Sequence, residues 1–288
     1  MTFQYLGSKK VFRRLLMAFL LVFLLMGCAN EDGDENQASE EEAEVLTVGI
    51  GNVIPPQFFT DESGELVGYD VDVLKAIDDL LPQYTFEFEQ LDLAATLVAL
   101  EAGRIDIADW QFGRTAEREE TFLYPDEPYD VGLPILITHE EQDELNSLSD
   151  MGGLTMAQMP TSSFYTYLTG YNDENPENPI NIQTVESLPV ADAMDMVSSG
   201  RIDGTIALAG TYNKLADEMN APTRSGDVID AYGVYYILEK DNTELKDVLD
   251  EAIRELRESG VIAELSEKWY GLDNFAEYTE FTGDQSFE

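Results

Sequence analysis

The chain has 288 residues, with 58 Asp and Glu against 16 Lys and Arg, a formal net charge of −42, and a single cysteine and a single histidine, Cys28 and His139. A disulfide scaffold needs cysteine pairs and a Cys/His zinc site needs more ligands than these two, so both are excluded, and nucleic acid or an anionic membrane surface would be repelled. Apolar residues at 44%, with 14 Phe and 14 Tyr, fill a sizeable core, so the acidity belongs to the surface and the length fits one large domain or two lobes.

Lys9, Lys10, Arg13 and Arg14 precede an apolar run over 15–26 that stops at Gly27-Cys28. A charged segment, a short apolar segment and a small residue before a cut site are the parts of a secretory signal over 1–27. The run is short for a bilayer span, which needs about 20 apolar residues. Residues 29–45 hold eight acids and no base, so 28–45 is expected to be an extended, self-repelling tether. Residues 277–288 are read as a similar acidic tail.

Within the body, 46–50 is expected as a strand. Residues 70–81 form an amphipathic helix with Asp70 as N-cap and Pro82 beyond its end. A strand over 85–89, a helix over 91–101 closed by Gly103, and a strand from Ile105 follow, an order that favours a parallel α/β sheet. Gly-Arg-Ile-Asp occurs at 103–106 and again at 200–203, each time between an apolar helix and an apolar strand. The repeat implies two similar α/β lobes, with Gly103 and Gly200 as left-handed helix ends and Asp106 and Asp203 opening the strands. Apolar segments over 131–138 and 232–238 bracket the second lobe and make a two-strand hinge. One last helix, over 243–270, returns to the first lobe. The boundaries are then 46–137 plus 232–276 for lobe 1 and 138–231 for lobe 2, with a cleft between them at the strand ends.

Four motifs appear in order: Gly64 to Asp72 (GELVGYDVD), Gly103 to Asp106 followed by Thr115-Ala-Glu-Arg118, Pro125 to Tyr129 (PDEPY), and Glu267 to Gly271 (EKWYG). Together they resemble the polar amino-acid class of ABC-transporter solute-binding proteins, bacterial lipoproteins with the type II periplasmic-binding fold. The resemblance implies that Cys28 is a lipid anchor and that Arg118 holds the ligand's carboxylate, a task suited to a planar guanidinium fork. The bland alternative for Arg118 is an ion pair with the adjacent Glu119 or Glu120. The resemblance also places Trp110, Gln111 and Gly113 against the ligand, and sets Thr161 and Ser162 at a helix start facing its carboxylate. Two departures stand out. Leu208 occupies the position that normally carries the acid for an α-ammonium, and Ile54-Pro55-Pro56-Gln57 replaces an aromatic stretch near the first strand, with Ile54 and Gln57 at the contact positions. Asp109 is a candidate to replace the missing acid.

The function implied is an extracellular, lipid-anchored monomer that captures a small carboxylate-bearing solute, an amino acid or a derivative, and delivers it to an ABC permease driven by its ATPase. No cofactor, metal or catalytic residue is expected. An enzyme on the same scaffold, dehydratase-like or cell-wall lytic, would need a general acid or base in the cleft, and His139 at the hinge strand's exit reads as a solvated loop residue. A sensor ectodomain would need a spanning helix after the binding domain.

Overall fold

A computed structural model describes residues 43–160 and 162–283. The expected signal segment, Cys28, most of the tether and Thr161 lie outside the described residues.

The chain opens with β1 (Glu44–Ile50), whose Leu46, Val48 and Ile50 alternate into the core. A small antiparallel ribbon of β2 (Val53–Ile54), β3 (Phe58–Thr60) and β4 (Leu66–Val67) leads into helix α1 (Tyr69–Leu80). Next come β5 (Tyr84–Gln90), α2 (Leu93–Glu101), β6 (Ile107–Phe112), α3 (Ala116–Thr121), β7 (Phe122–Leu123) and β8 (Asp130–Gly132). The second half of the layout is β9 (Pro134–His139), β10 (Thr155–Gln158), α4 (Ser163–Glu174), β11 (Asn181–Thr184), α5 (Val190–Ser198), β12 (Gly204–Leu208), α6 (Ala209–Met219) and β13 (Thr223–Val228). The chain closes with β14 (Tyr232–Glu239), α7 (Thr243–Glu258), α8 (Val261–Tyr270) and α9 (Asn274–Thr282).

Two larger sheets result, and they share one plan. The first runs β5-β1-β6-β14-β7, with β8 also on β14; β1 is parallel to both neighbours and β14 antiparallel to β6. The second runs β11-β10-β12-β9-β13, with β10 parallel to its neighbours and β9 antiparallel to β12. Parallel neighbours require helical crossovers, which α1 and α2 supply in the first sheet and α4 and α5 in the second. In each sheet the antiparallel strand comes from across the hinge, β14 after the second lobe and β9 before it.

The repeated tetrapeptide does the same work twice. Gly103 (φ 60°) and Gly200 (φ 67°) end α2 and α5 in the left-handed region, where glycine carries no Cβ penalty. Arg104 N then donates to Ala99 O and Arg201 N to Met196 O, each at 2.9 Å. One residue after each Ile, the aspartate turns back to a parallel neighbour, Asp106 to β1 and Asp203 to β10.

The structure departs from the sequence reading at five places. The expected strand over 131–138 is two strands, β8 in the first sheet and β9 in the second, so the crossing falls at Leu133 and not between 137 and 138. The expected helix over 243–270 breaks at Gly260, which is left-handed (φ 85°), into α7 and α8. Residues 274–282 form α9, with Asn274, Phe275 and Tyr278 buried, so the acidic tail does not begin at 277. Strand β1 begins at Glu44, paired with Tyr84, within the stretch read as tether. Finally, Gly68 and not Asp70 is the N-cap of α1. At Gly68 (φ 139°) a Cβ would lie 2.1 Å from Gln57 O, so only glycine allows α1 to start this close to the ribbon.

Candidate ligand-binding site

Strand β6 ends in Trp110, Gln111 and Phe112, followed by Gly113. Trp110 is half-buried; its Nε1 donates to Thr96 Oγ1 (3.0 Å) and its ring meets Phe58 edge-on, with centroids 5.3 Å apart. A Cβ on Gly51 would strike both rings at under 3 Å, so glycine there is what lets the two aromatics close. Gln111 is one of two described non-glycine residues with positive φ (54°). Its Nε2 donates to both oxygens of Asp70, at 2.8 Å each.

Thr115 caps α3 by accepting from Arg118 N (3.2 Å), and this turn swings the guanidinium back over the end of β6. Arg118 Nη1 donates to Gly113 O (3.2 Å) and the group lies 5.4 Å from the Phe112 ring centroid. Tyr124 donates to the same Gly113 carbonyl (3.3 Å). The neighbouring acid is taken by another residue: Glu119 pairs with Arg114 (3.3 Å), whose guanidinium also lies 4.5 Å from the Tyr235 ring centroid. Among the described residues no carboxylate pairs with Arg118, so the local ion-pair alternative is not what forms.

The other expected site residues fall in two places. Gln57 and Leu208 line one pocket together with Asp130, Tyr270, Asn274 and Gly210, drawn from both halves of the body. Gln57 is buried with its side-chain amide beside the Ile54 and Pro55 carbonyls, so Ile54 lines it through the backbone. Leu208 is half-buried at the N-cap position of α6. Ser162 caps α4, its Oγ accepting from Phe164 N (3.1 Å), while Thr161 lies outside the described residues.

Asp109 does not face a cleft. It is fully buried, and the Tyr129 hydroxyl lies 2.7 Å from its Oδ1, which corrects its candidacy as a replacement for the acid missing at Leu208. Asp130 in β8 is also buried. It accepts from Val131 N (2.8 Å), Asn274 Nδ2 (2.9 Å) and Tyr270 O–H (2.9 Å), and burial pushes its carboxyl up to about 7. Sequence reasoning missed this acid and its partners. The one available signal was an Asp between Tyr129 and an apolar run. His139 is half-buried at the end of β9, with Nδ1 accepting from Glu141 N (3.2 Å).

Among the described residues no helix is long and apolar enough to cross a membrane. Residues 46–272 match the sequence profile of bacterial extracellular solute-binding proteins, family 3. The chain is 34% identical over 265 residues to the L-cystine-binding protein TcyJ of Bacillus subtilis, covering 91% of this chain and 96% of that one. It is 29% identical over 269 residues to TcyK, an L-cystine-binding protein of the same organism, covering 92% and 97%. Among solved structures, the unliganded open L-cystine solute receptor of Neisseria gonorrhoeae superposes with a TM-score of 0.69 at 26% identity, covering 81% of this chain and 96% of that one. These proteins are transport receptors and not enzymes, which sets aside the enzymatic alternative. With two sheets of the same plan joined by two crossings and a family match spanning nearly the whole body, the chain belongs to the bacterial extracellular solute-binding proteins, family 3, the solute-capturing components of ABC importers.

Proposed function

We propose that this receptor captures a carboxylate-bearing amino acid of the L-cystine class, with Arg118 as the carboxylate clamp and Trp110, Gln111, Gly113 and Ser162 around it. The observation that carries the reading is Arg118 itself. In a chain with 58 acids and 16 bases, its guanidinium is aimed by one backbone carbonyl and one aromatic face, and no acid among the described residues neutralises it. A cation kept unpaired amid such an excess of carboxylates is available for a carboxylate brought by the ligand, and the bidentate bond strengthens as a closing cleft sheds water. The names of the relatives supply the ligand class. The same reading places the receptor outside the cytoplasmic membrane as a monomer, tethered by a lipid on Cys28 and serving a permease and its ATPase.

Calorimetric titration with L-cystine tests it. Binding by the parent and a loss of at least about thirtyfold in Arg118→Ala, with the circular dichroism unchanged, are expected, because truncating one partner of a buried charge pair costs about 2–5 kcal/mol. Affinity within about threefold of the parent would remove Arg118 from the site.

A further inference from the structure

Two carboxyl groups that ligand capture does not use, Asp70 on α1 and Asp109 on β6, are fully buried in the first lobe. Neither bonds to Lys, Arg or His among the described residues. The Tyr129 hydroxyl bridges them, 3.0 Å from Asp70 Oδ2 and 2.7 Å from Asp109 Oδ1. A phenol has one proton and donates it once, so its second short contact to a carboxyl requires a proton on that acid. Gln111 Nε2 donates to both oxygens of Asp70 at 2.8 Å and to the Tyr129 hydroxyl at 3.3 Å, and Asp109 Oδ2 is buried without a hydrogen bond, so burial disfavours a second negative charge here. The two acids therefore share a proton across Tyr129, and Gln111 is tied to the Asp70 end of the chain.

The groups facing this cluster are Tyr69 from α1, Tyr236 stacked on Tyr129 from β14 (centroids 4.0 Å apart), Tyr270 from α8 and Asp130 from β8. They bring no positive charge. Burial without a cation raises both carboxyls, that of Asp109 to about 7, and the two acids hold their proton as a pair. At the far end of the chain, Gln111 sits in the left-handed backbone region (φ 54°), uncommon for a residue with a side chain, in the middle of the strand end that carries Trp110 and Gly113.

We propose that Asp109, Tyr129 and Asp70 form the positioning device of the ligand site, locking Gln111 in its left-handed turn so that Trp110 to Gly113 are presented to the ligand, and that loss of the shared proton at alkaline pH unlocks it. The role rests on reading that strand end as ligand contact. With the proton gone, two carboxylates compete for one phenol hydrogen, their repulsion falls on the carboxylate that holds Gln111, and affinity drops. Asp70, Asp109 and Tyr129 are positioning residues: they act through Gln111.

The experiment uses the full-length protein and L-cystine. Its dissociation constant should rise at least about tenfold between about pH 6 and pH 8.5. Asp109→Asn, whose amide keeps a donor toward Tyr129 and cannot titrate, should flatten that profile; both proteins meet the same ligand ionisation, so the difference between them belongs to the protein. Asp70→Asn should weaken binding at every pH. A second arm needs no ligand: buried Asp130 gives a protonated-carboxyl infrared band in both proteins, so the band read is the difference between parent and Asp109→Asn, which should be present at about pH 6 and disappear by about pH 9, with a change in Trp110 emission that the variant lacks. A flat parent profile, an Asp109→Asn profile like the parent's, or absence of the band would overturn the proposal. Failure to bind L-cystine while band and emission titrate together would count against the ligand reading alone and support the positioning device.

Discussion

Asp106 and Asp203, 97 positions apart in sequence, make the same pair of bonds in the two lobes: Asp106 Oδ2 accepts from Thr47 N and Asp203 Oδ2 from Thr155 N, both at 2.7 Å, while their own amides donate to Thr47 O and Thr155 O at 2.8 Å. Each aspartate thus closes the end of a parallel strand pair, β1 with β6 and β10 with β12, where a backbone N–H would otherwise have no ladder partner. A charged acceptor on a backbone donor contributes more than a neutral one. Asp106→Ala should therefore destabilise the protein by about 1–3 kcal/mol, and Asp203→Ala by less because its bond is exposed. Urea unfolding with unchanged slope checks it; equal and negligible losses would show that the repeated motif is decorative.

This repeat is also the clearest case of fold information readable in the sequence. A helix ended by Gly and a strand opened by Asp are local signals, and each is satisfied within its own sheet. The hinge was harder to read, since β8 and β9 are both buried and together with Leu133 give one unbroken apolar run that carries no mark of the change of sheet. Asp70 was misread for a related reason. An Asp at the start of an apolar helix is a good cap by local rules, but Gln111, 41 positions away, and Tyr129, 59 away, claim its carboxylate. Helix α9 hid in an acidic segment because only Asn274, Phe275 and Tyr278 face inward, a stripe too short to register as periodicity. At the site, the Thr115 to Arg118 spacing was legible. That Arg114 would take Glu119 and leave Arg118 without an acid was not, because it depends on Tyr124 and Tyr235 framing Arg114 from other elements.

The buried acids set a pH dependence of stability with a definite sign. Asp109 and Asp130 rise from an ordinary 3.8 to about 7, in both cases mainly through burial. Between those values the folded protein holds protons that the unfolded chain has released, so stability falls as pH rises from about 4 to 7 and levels off above. At 1.36 kcal/mol per unit, each acid accounts for up to about 4 kcal/mol across that window. Glu127 works in the opposite direction, since Arg257 and Arg254 hold its carboxyl below the usual range. Comparing the parent with Asp109→Asn reads the contribution of the Asp109–Asp70 pair: the melting temperature of the parent should fall more steeply between about pH 5 and 7.5 than that of the variant. Parallel curves would mean that Asp109 is ionised throughout.

Leu208 carries the last prediction. It stands at the end of β12 where the family resemblance implies an acid for the α-ammonium, and it shares its pocket with Gln57 and Asp130. Asp130 is already fully engaged by Val131, Tyr270 and Asn274, and Asp109 faces inward toward Tyr129, so neither stands in for the absent acid. An ammonium that enters the closed site without an anionic partner gains nothing from its charge and loses its hydration. The parent should then bind the N,N′-diacetyl derivative at least as tightly as L-cystine. Leu208→Asp introduces a carboxylate at an N-cap position, where Asp is among the preferred residues, so the start of α6 tolerates it. A charge-assisted hydrogen bond to the ammonium contributes about 1.5–3 kcal/mol, and the variant should prefer L-cystine over the diacetyl compound by about tenfold or more. Competition titrations on both proteins measure the two ratios. A parent that already rejects the diacetyl derivative by about tenfold would show that another group holds the ammonium, and Asp230, half-buried beside Tyr167 (2.8 Å) on the segment leading into β14, would be the next carboxylate to replace with Asn.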